Sequence, residues 1–346
     1  MKHQTTRYGE IPFYKIGTFG NTADAFISKK LFLEYKTKYS FPKKGDILIS
    51  ASGTIGRAVI YDGKPAYFQD SNIVWIDNDE TLVKNDFLFY AYSNVKWNTE
   101  HTTILRLYND NFRNTLIPLP PLNEQIAIAN ILSDLDRYLC ALDALILKKE
   151  GVKKALSFEL LSQRKRLKGF NQAWQRVRLG DIANYLTSNL SAEQITQQGK
   201  IKVYDVNNFI GYTDTTFISD KPYISIVKDG SVGRVRILPP KTNILSTMGA
   251  LIANHRTTTE FLFYLLSNFD FKNFTSGSII PHIYFKDYKE KTIFLPPLNE
   301  QSAIANILSA LDNEITSLKN KKRQFENIKK ALNHDLMSVK IRVLEK

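Results

Sequence analysis

The most regular feature of the sequence is an apolar stripe that occurs twice at helical spacing. Apolar residues three and four positions apart lie on one face of an α-helix. The stripe therefore predicts two long helices, each about 40 residues and roughly 60 Å long. Neither helix can bury such a stripe alone, so each needs a partner. The stripe consists of Ile128, Leu132, Leu135, Leu139, Leu142, Ile146, Leu156 and Leu160 in the first copy, and of Ile304, Leu308, Leu311, Ile315, Leu318, Leu332 and Leu336 in the second.

A Pro-Pro pair stands directly before each predicted helix. The motif Leu-Pro-Pro-Leu-Asn-Glu-Gln fills residues 119–125 and again residues 295–301. Because proline is excluded from a helix interior, each helix is expected to start just after the pair. Asn123 and Asn299 are predicted as N-caps, and the glutamate after each of them lies in the first turn, where negative charge is favourable.

These motifs belong to a tandem repeat in which Leu119 of the first copy corresponds to Leu295 of the second. We call this separation along the chain the repeat offset. Residues 119–136 and 295–312 are identical at 16 of 18 positions. Upstream of the helices the copies resemble each other less, although Gly-Thr-Ile-Gly-Arg at 53–57 is still similar to Gly-Ser-Val-Gly-Arg at 230–234. A gene duplication in which the helices stayed alike while the globular parts diverged explains this pattern.

Charge is distributed unevenly along both predicted helices. The first half of each is mostly acidic and the second half mostly basic. A parallel pair would place like charges side by side, whereas an antiparallel pair brings opposite charges together. We therefore predict an antiparallel coiled coil, with one globular domain at each end of a rod and an approximate twofold axis. The alternative is that these charges are solvated on helices that do not pair.

The segments before the helices show the patterns of mixed, mostly β domains. Short apolar runs predict strands, glycine-rich segments predict turns between strands, and two aromatic runs predict short buried helices. The predicted fold class is therefore α+β, a pseudo-twofold tandem repeat of two such domains separated by the long helices. The predicted strands are 44–50 and 200–206, the turns are 53–57 and 230–234, and the short helices are 87–94 and 261–268.

The same patterns predict the domain boundaries. Residues 1–117 and 174–293 form the two globular domains, and residues 118–163 and 294–346 form the helical spacers. A basic linker at 164–173 joins the two copies.

Composition narrows the classes of protein that fit this chain. Of its 346 residues 43% are hydrophobic, and the net charge of +13 is compatible with a polyanionic partner. The single cysteine, Cys140, excludes an intrachain disulfide framework. No run of about 18 apolar residues occurs, so we expect a soluble, cytoplasmic protein that does not engage a membrane.

No strong catalytic motif is present in the sequence. There is no Gly-rich phosphate loop, and the five histidines do not have metal-ligand spacing. One weak nuclease-like arrangement remains, namely Asp24 followed by Glu34-Tyr35-Lys36, since two carboxylates and a lysine can bind a metal and activate water. A charged surface supplies such spacings freely, so we predict that the chain is not an enzyme and binds no metal.

The doubled Leu-Pro-Pro-Leu-Asn-Glu-Gln motif, followed each time by Ile-Ala-Asn-Ile-Leu-Ser-x-Leu-Asp, resembles the specificity subunits of type I restriction-modification enzymes. The resemblance covers essentially the whole chain. It implies that each globular domain is a target-recognition domain for one half of a split double-stranded DNA site. It also implies that the helices set the distance between the halves and dock two modification (methyltransferase) subunits. The spacer and docking residues implied are Leu119, Pro120, Pro121, Asn123, Glu124, Gln125, Leu295, Pro296, Pro297, Asn299, Glu300 and Gln301.

The resemblance also implies where the chemistry takes place. Restriction (motor-nuclease) subunits join the assembly to cleave DNA. S-adenosylmethionine, ATP and Mg²⁺ are expected only on the partner subunits, and this chain is expected to bind no cofactor.

The sequence departs from the family pattern at the start of the first domain. The second domain begins with a typical lead-in segment, Trp174-Gln-Arg-Val-Arg-Leu-Gly-Asp-Ile182. The first domain has no counterpart, because its residues 9–14 already align with residues 199–204. The stretch that follows is shorter in the second domain, where it runs from Gly199 to Gly230, than in the first, where it runs from Gly9 to Gly53. An alternative is therefore a truncated or silent adaptor that reads little DNA.

The candidate DNA contacts lie at matching places in the two copies. A glycine turn lets the backbone approach phosphate, and arginine can bind phosphate or a guanine edge. A plain β-turn with a solvated arginine is the alternative. Two further candidates, Arg106 and His282, correspond to each other by the repeat offset just before the helix motifs, where a surface strand is favoured over polar reach toward DNA. The candidates are Gly53, Gly56, Arg57 and Arg106 in the first domain, and Gly230, Gly233, Arg234 and His282 in the second.

Overall fold

The computed structural model describes residues 4–68, 72–97, 105–277 and 279–344. None of the helices in these ranges combines the length and the apolar character needed to cross a membrane.

The chain forms two compact units. The first contains Met1–Asp143 together with Asn320–Lys346, and the second contains Ala144–Lys319. Each unit therefore holds one globular part and half of each long helix.

Helices and strands alternate irregularly along the chain. The helices are α1 (Lys29–Lys38), α2 (Asn85–Tyr92), α3 (Asn109–Arg113), α4 (Leu122–Leu161), α5 (Thr259–Ser267), α6 (Phe285–Tyr288) and α7 (Leu298–Met337). The strands of the first unit are β1 (Ile11–Tyr14), β2 (Ala25–Ile27), β3 (Ile47–Ser50), β4 (Ala58–Ile60), β5 (Tyr67–Phe68) and β6 (Ile73–Trp75). Those of the second are β7 (Gln175–Arg178), β8 (Ala183–Thr187), β9 (Ile201–Tyr204), β10 (Phe209–Thr213), β11 (Tyr223–Val227), β12 (Val235–Leu238), β13 (Asn243–Ile244), β14 (Met248–Ala253), β15 (Thr275–Ser276), β16 (His282–Ile283) and β17 (Thr292–Leu295).

The sheet topology repeats between the units, which confirms the tandem repeat. In the first unit β1 pairs antiparallel with β2 and parallel with β5, and in the second β9 pairs antiparallel with β10 and parallel with β13. A second sheet has the order β4-β3-β6 in the first unit and β12-β11-β14-β8 in the second. Within the described ranges, the second unit also contains the strand β8 and the strand pairs β7 with β17 and β15 with β16.

The central strands and the short helices agree with the sequence pattern. Every residue of β3 and of β11 is buried, as expected for continuous apolar runs. The first predicted strand is shorter than expected, because Lys44 and Gly45 lie in a turn before it. The helices α2 and α5 bury most of their aromatic residues, and the Thr258 side chain caps α5 by accepting from the N–H of Phe261 (3.2 Å).

The two long helices confirm the strongest prediction from the sequence. Both α4 and α7 are 40 residues long and begin directly after their Pro-Pro pair. The prediction that Asn123 and Asn299 are the N-caps is wrong, because both residues lie inside the first turn of their helices. Asn123 and Asn299 are the second residues of their helices, and the carbonyl oxygens of Pro121 and Pro297 already accept the first helical hydrogen bonds (2.9 Å each). A proline can serve there because its carbonyl remains available although its N–H does not.

In the first unit the segments of α4 and α7 run antiparallel. The carboxylate of Asp136 pairs with Lys329, and that of Asp143 pairs with Lys322 at 2.7 Å. A later residue of α4 therefore pairs with an earlier residue of α7, as in an antiparallel pair of helices. Leu132 of α4 and Leu336 of α7 share one buried cluster with α2. The acidic half of one helix faces the basic half of the other, as the charge pattern predicted.

In the second unit the same helices pair in the same sense. Lys149 pairs with Glu314 at 2.7 Å, and Lys153, further along α4, pairs with Asp312, further back along α7. The basic half of α4 thus lies against the acidic half of α7. These ion pairs are of the kind that the antiparallel charge pattern predicted.

Each helix pair is joined to a globular part by a buried tyrosine. Tyr90 of α2 donates to Asp136 (2.8 Å), and Tyr264 of α5 donates to Asp312 (2.9 Å). Burial, reinforced by the bond to the carboxylate, raises the pKa of both tyrosines well above their ordinary value. Both hydroxyls therefore remain neutral donors, and each aspartate also holds the lysine of the opposite helix.

Candidate nucleic-acid interface

The glycine turns between paired strands have the backbone conformation that only glycine adopts readily. Gly53 and Gly56 have φ values of 67° and 79°, and Gly230 and Gly233 have 83° and 78°. These turns connect β3 to β4 and β11 to β12, as predicted. We call residues 53–57 and 230–234 the glycine turns of the first and second unit.

The second glycine of each turn packs against an aromatic ring. A Cβ atom at Gly56 would collide with the indole of Trp97, and one at Gly233 would lie 2.6 Å from the ring of Phe271. The turn is therefore held against the body of its unit, and the following arginine starts from a fixed backbone position.

The arginines of the turns are exposed, and each is oriented by one hydrogen bond. Arg57 donates from Nη1 to the carbonyl oxygen of Phe19 (3.0 Å), and Arg234 donates from Nη2 to Oδ1 of Asn207 (2.8 Å). A guanidinium has five N–H donors. One bond therefore sets its direction without using its capacity to bind an anion or a base.

The structure brings Arg106 and His282 beside the glycine turns, a proximity that sequence spacing did not show. Arg106 forms a β-bridge with Ser52, and His282 forms one with Asp229. Leu107, the residue after Arg106, donates its N–H to the carbonyl oxygen of Ala51 (2.8 Å). In the same way Ile283, the residue after His282, donates its N–H to the carbonyl oxygen of Lys228 (2.9 Å). In each unit, all the candidate residues therefore lie together at one place.

Two exposed tyrosines complete this surface and were missed from the sequence. Tyr108 lies beside Arg106, with its ring centroid 5.8 Å from the guanidinium carbon, and Tyr284 stacks near His282 at a ring distance of 6.5 Å. The two tyrosines are separated by the repeat offset. That offset was the signal that could have identified them. We call each glycine turn, together with its flanking arginine or histidine and its tyrosine, the turn surface of its unit.

The turn surface of the second unit also contains an acidic group. Asp229 lies 2.6 Å from Nδ1 of His282. Nearby, Arg236 lies over the ring of Tyr204 and donates to the backbone oxygen of Asn207 (2.8 Å). The turn surface therefore combines several fixed donors with one carboxylate that orients the histidine.

The glutamates of the helix motif are buried ion-pair partners. Glu300 accepts from Nη2 of Arg166 (2.7 Å) and from the indole N–H of Trp174 (2.9 Å). Glu124 accepts from Nη2 of Arg342 (2.6 Å), and this bond lowers the pKa of its carboxyl group. The two arginines are again separated by the repeat offset, and sequence reasoning had assigned them no role.

The glutamines of the motif tie each long helix to the short helix before it. Gln125 accepts from the backbone N–H of Lys84 (2.8 Å), the residue that precedes α2. Gln301 accepts from the N–H of Thr258 (3.0 Å), which precedes α5. These glutamines and the motif glutamates are buried, so they act inside their units rather than as a surface for partners.

Other residues of the motif face outward. Leu122 and Asn123 of α4, and Leu298 and Asn299 of α7, are exposed on the first turn of their helices. One further matching pair is exposed two turns later, at Asn130 and Asn306. These positions are identical in the two copies although their side chains are exposed. Among the residues implied for docking, the outward ones are therefore the available surface.

Two of the nuclease-like residues of the first unit, Asp24 and Lys36, have other partners. Asp24 pairs with Lys15 at 2.8 Å, and the Lys36 ammonium lies over the ring of Phe41 at 5.5 Å. Within the described ranges, no group of three or more histidine, cysteine, aspartate or glutamate side chains is placed to hold a metal ion.

Comparison with known proteins gives a consistent family. A Haemophilus influenzae protein assigned as a type I restriction enzyme specificity subunit is 65% identical over 133 residues, which cover 38% of this chain. Those residues span only about a third of that relative's length (34%). The type I restriction enzyme MjaVIII specificity subunit of Methanocaldococcus jannaschii is 25% identical, with 92% of this chain and 84% of that protein covered.

Solved structures share the fold. The S subunit of a type I restriction-modification system from M. genitalium matches with a TM-score of 0.63 at 20% identity, covering 97% of this chain and 91% of that one. A chain from a structure describing assembly and conformational transition of the type I R-M system matches with a TM-score of 0.52 at 15% identity, with 85% and 82% covered. The family described as type I restriction modification DNA specificity domain matches residues 1–149 and again 171–327. Since these matches cover most of the sequence, the chain belongs to the family of type I restriction-modification DNA specificity domains.

Proposed function

We propose that this chain is the sequence-specific DNA-binding subunit of a type I restriction-modification system, and that each unit reads one half of a bipartite target. The observation that carries this proposal is the duplicated turn surface, in a chain whose family is defined by DNA specificity. The names of its relatives in Haemophilus and Methanocaldococcus support the same role.

The chemistry of the turn surface suits double-stranded DNA. Glycine turns allow close backbone approach to phosphate, and an oriented arginine can form the bidentate bond to a guanine edge in the major groove. The net charge of +13 favours a polyanionic partner. Because each unit offers only a small set of contacts, strong binding would require both units to engage the same DNA molecule.

The partners in this proposal are two modification (methyltransferase) subunits, together with restriction subunits that cleave. The outward residues Leu122 and Asn123, and their copies Leu298 and Asn299, support docking of one modification subunit per copy of the motif. In this proposal the chain acts in the cytoplasm, has no catalytic centre and binds no cofactor. S-adenosylmethionine, ATP and Mg²⁺ belong to the partners.

Footprinting of the chain together with methyltransferase subunits tests this function. We expect two protected half-sites with an unprotected interval between them. Arg57→Ala should weaken protection at one half-site only, and Arg234→Ala at the other, because each residue belongs to a different unit. Uniform weak protection of all sequences would favour the adaptor alternative, in which the chain reads little DNA.

The nuclease alternative is tested with the purified chain alone. We expect no cleavage of DNA in the presence of Mg²⁺. Cleavage that is lost in both Asp24→Ala and Glu34→Ala variants would overturn the assignment as a non-catalytic subunit.

A further inference from the structure

The tight turn between β9 and β10 places one asparagine, Asn207, in a defined position. The Asp205 side chain accepts from the backbone N–H groups of Asn207 (2.8 Å) and of Asn208 (2.6 Å). The backbone N–H of Asp205 donates in turn to the carbonyl oxygen of Asn208 (3.0 Å). Both asparagines are exposed. The turn therefore fixes the backbone of Asn207 while its side chain stays at the surface.

Asn207 bonds to two arginines that lie further along the chain in the same unit. Its Oδ1 atom accepts from Nη2 of Arg234, and its backbone oxygen accepts from Nη1 of Arg236, both at 2.8 Å. The guanidinium carbon of Arg236 also lies 5.2 Å from the ring centroid of Tyr204. One residue therefore orients both guanidinium groups.

The two arginines project from one face of their sheet. The N–H of Val227 donates to the carbonyl oxygen of Arg234 (2.9 Å), so the ladder between β11 and β12 already includes residue 234. Side chains two positions apart on a strand point to the same face. Arg234 is exposed and Arg236 is half-buried. The pair thus lies side by side at the edge strand β12, directly after the glycine turn.

Asn207 orients these arginines with neutral atoms. The acceptors are an amide oxygen and a backbone carbonyl oxygen, and each bond uses only one of the five N–H donors of a guanidinium. By contrast, Arg166 is held inside the unit by the carboxylate of Glu300. A neutral acceptor sets the direction of a guanidinium without cancelling its charge. Both groups therefore keep the charge and the donors that a contact with DNA requires.

The first unit differs at both points. Counted from the glycine turns, Val59 in β4 occupies the place of Arg236 in β12. Arg57, the counterpart of Arg234, is held by the backbone oxygen of Phe19 (3.0 Å) rather than by an amide side chain. The paired arginines and their asparagine anchor therefore belong to the second unit.

We propose that Asn207 is a positioning residue for DNA reading and that Arg236 is a second specificity-determining residue of the second unit. The guanidinium groups of Arg234 and Arg236 each bind a guanine edge in the major groove, because the bidentate bond to guanine O6 and N7 needs an oriented planar fork. In the proposed function, on which this inference rests, the second unit reads one half-site. That half-site contains two guanine positions, and one of them depends on Asn207 through Arg234.

Selection from a randomised pool of duplex DNA tests the two guanine positions. The full chain is assembled with methyltransferase subunits, and the bound duplexes are sequenced. We expect Arg234→Ala and Arg236→Ala each to lower guanine preference about tenfold, at two different positions of the same half-site. Arg236→Lys should lose the preference although it keeps the charge, because an ammonium cannot form the planar fork. Weaker binding with unchanged base preference, or full preference with lysine, overturns base reading by Arg236.

A double-mutant cycle on a selected duplex tests the role of Asn207. Asn207→Ala should weaken binding about fivefold, and it should weaken the Arg234→Ala variant no further, because its side chain acts through that arginine. Combined with Arg236→Ala its effect should multiply, since Arg236 bonds to the backbone of residue 207. The matched control Asn208→Ala should leave binding within about twofold of the parent. An Asn207→Ala effect of equal size with and without Arg234 overturns the positioning role.

The outcomes also distinguish this inference from the proposed function. If the pool yields no preferred sequence, both fail. If it yields two half-sites that neither Arg236→Ala nor Asn207→Ala alters, the proposed function stands and the roles of Arg236 and Asn207 are overturned.

Discussion

At the residue scale, the two glycines of a turn are needed for different reasons. Gly230 and Gly233 both have positive φ, which strains any other residue. Around Gly230 an added Cβ atom meets open space, whereas at Gly233 it would press on the Phe271 ring. Glycine is therefore needed at position 230 only for its backbone conformation. At position 233 it is needed also because a side chain would collide with the Phe271 ring.

We expect Gly233→Ala to destabilise the second unit more than Gly230→Ala does. Both variants take on the left-handed strain of about 1–2 kcal/mol, and Gly233→Ala adds steric overlap of about 1–3 kcal/mol. Urea unfolding of the two variants measures the difference. Equal losses of unfolding free energy would show that Phe271 moves aside without cost.

The arginines of the turn surfaces provide the second prediction at this scale. Arg57→Ala and Arg234→Ala should each weaken binding to the cognate DNA by about 1–3 kcal/mol if they read bases. Arg323→Ala, which changes an exposed arginine on α7, is the matched control and should change binding little. Titrations at several salt concentrations measure both effects. If both turn variants bind normally with an unchanged salt slope, the arginines are only solvated turn residues.

The sequence predicted part of the turn surface. The glycines and arginines were visible because they repeat, and Arg106 and His282 were visible from the repeat offset. Their position beside the turns was not visible, because a β-bridge between residues far apart along the chain leaves no local pattern. The rings of Trp97 and Phe271 were missed for the same reason, since only tertiary packing brings them to the glycines.

At the scale of elements, the Leu-Pro-Pro-Leu-Asn-Glu-Gln motif connects each long helix to other parts of its own unit, once in each copy. Its glutamine bonds to the backbone before a short helix, and its glutamate bonds to an arginine beyond the end of the other long helix. Helix length, helix start and antiparallel pairing were all predictable, because periodicity, proline and charge are local properties. The N-cap was not, because asparagine in the first turn and asparagine at the cap have the same sequence signature.

The bond between Glu124 and Arg342 makes the first unit sensitive to acid. Since the pKa of Glu124 is lowered in the folded chain, its contribution to stability is present above the unfolded pKa of about 4.3 and is lost as pH falls below it. Glu124→Gln should therefore be less stable than the parent chain at pH 7, and the difference should shrink towards pH 3. Urea unfolding at a series of pH values measures it. A difference that stays constant over this range would exclude the ionised pair as its source.

At the scale of the whole molecule, each unit is assembled from both copies of the repeat. The first unit needs residues 320–346, which supply Leu336 and Met337 to the cluster around Leu132. The second unit is one continuous segment, Ala144–Lys319. The first unit is therefore built from two separate segments of the chain, whereas the second is built from one.

Deletion of residues 320–346 should unfold the first unit and spare the second. Each large apolar side chain removed from a core costs about 2–5 kcal/mol, and this deletion removes two of them together with the Lys329 and Arg342 ion pairs. Hydrogen exchange should rise sharply in α2 and stay slow in α5. Rapid exchange in both helices would show that the second unit also requires the deleted residues.

The composition of the first unit has a consequence for synthesis on the ribosome. Domains generally fold as they emerge, the N-terminal ones first. Here the first unit is completed after the second, because its helix partner at 320–346 is translated after Lys319. The uninterrupted second unit can finish before it. Throughout that interval, the apolar stripe around Leu132 lacks its partner residues on α7, and we expect it to be open to chaperone binding in the nascent chain.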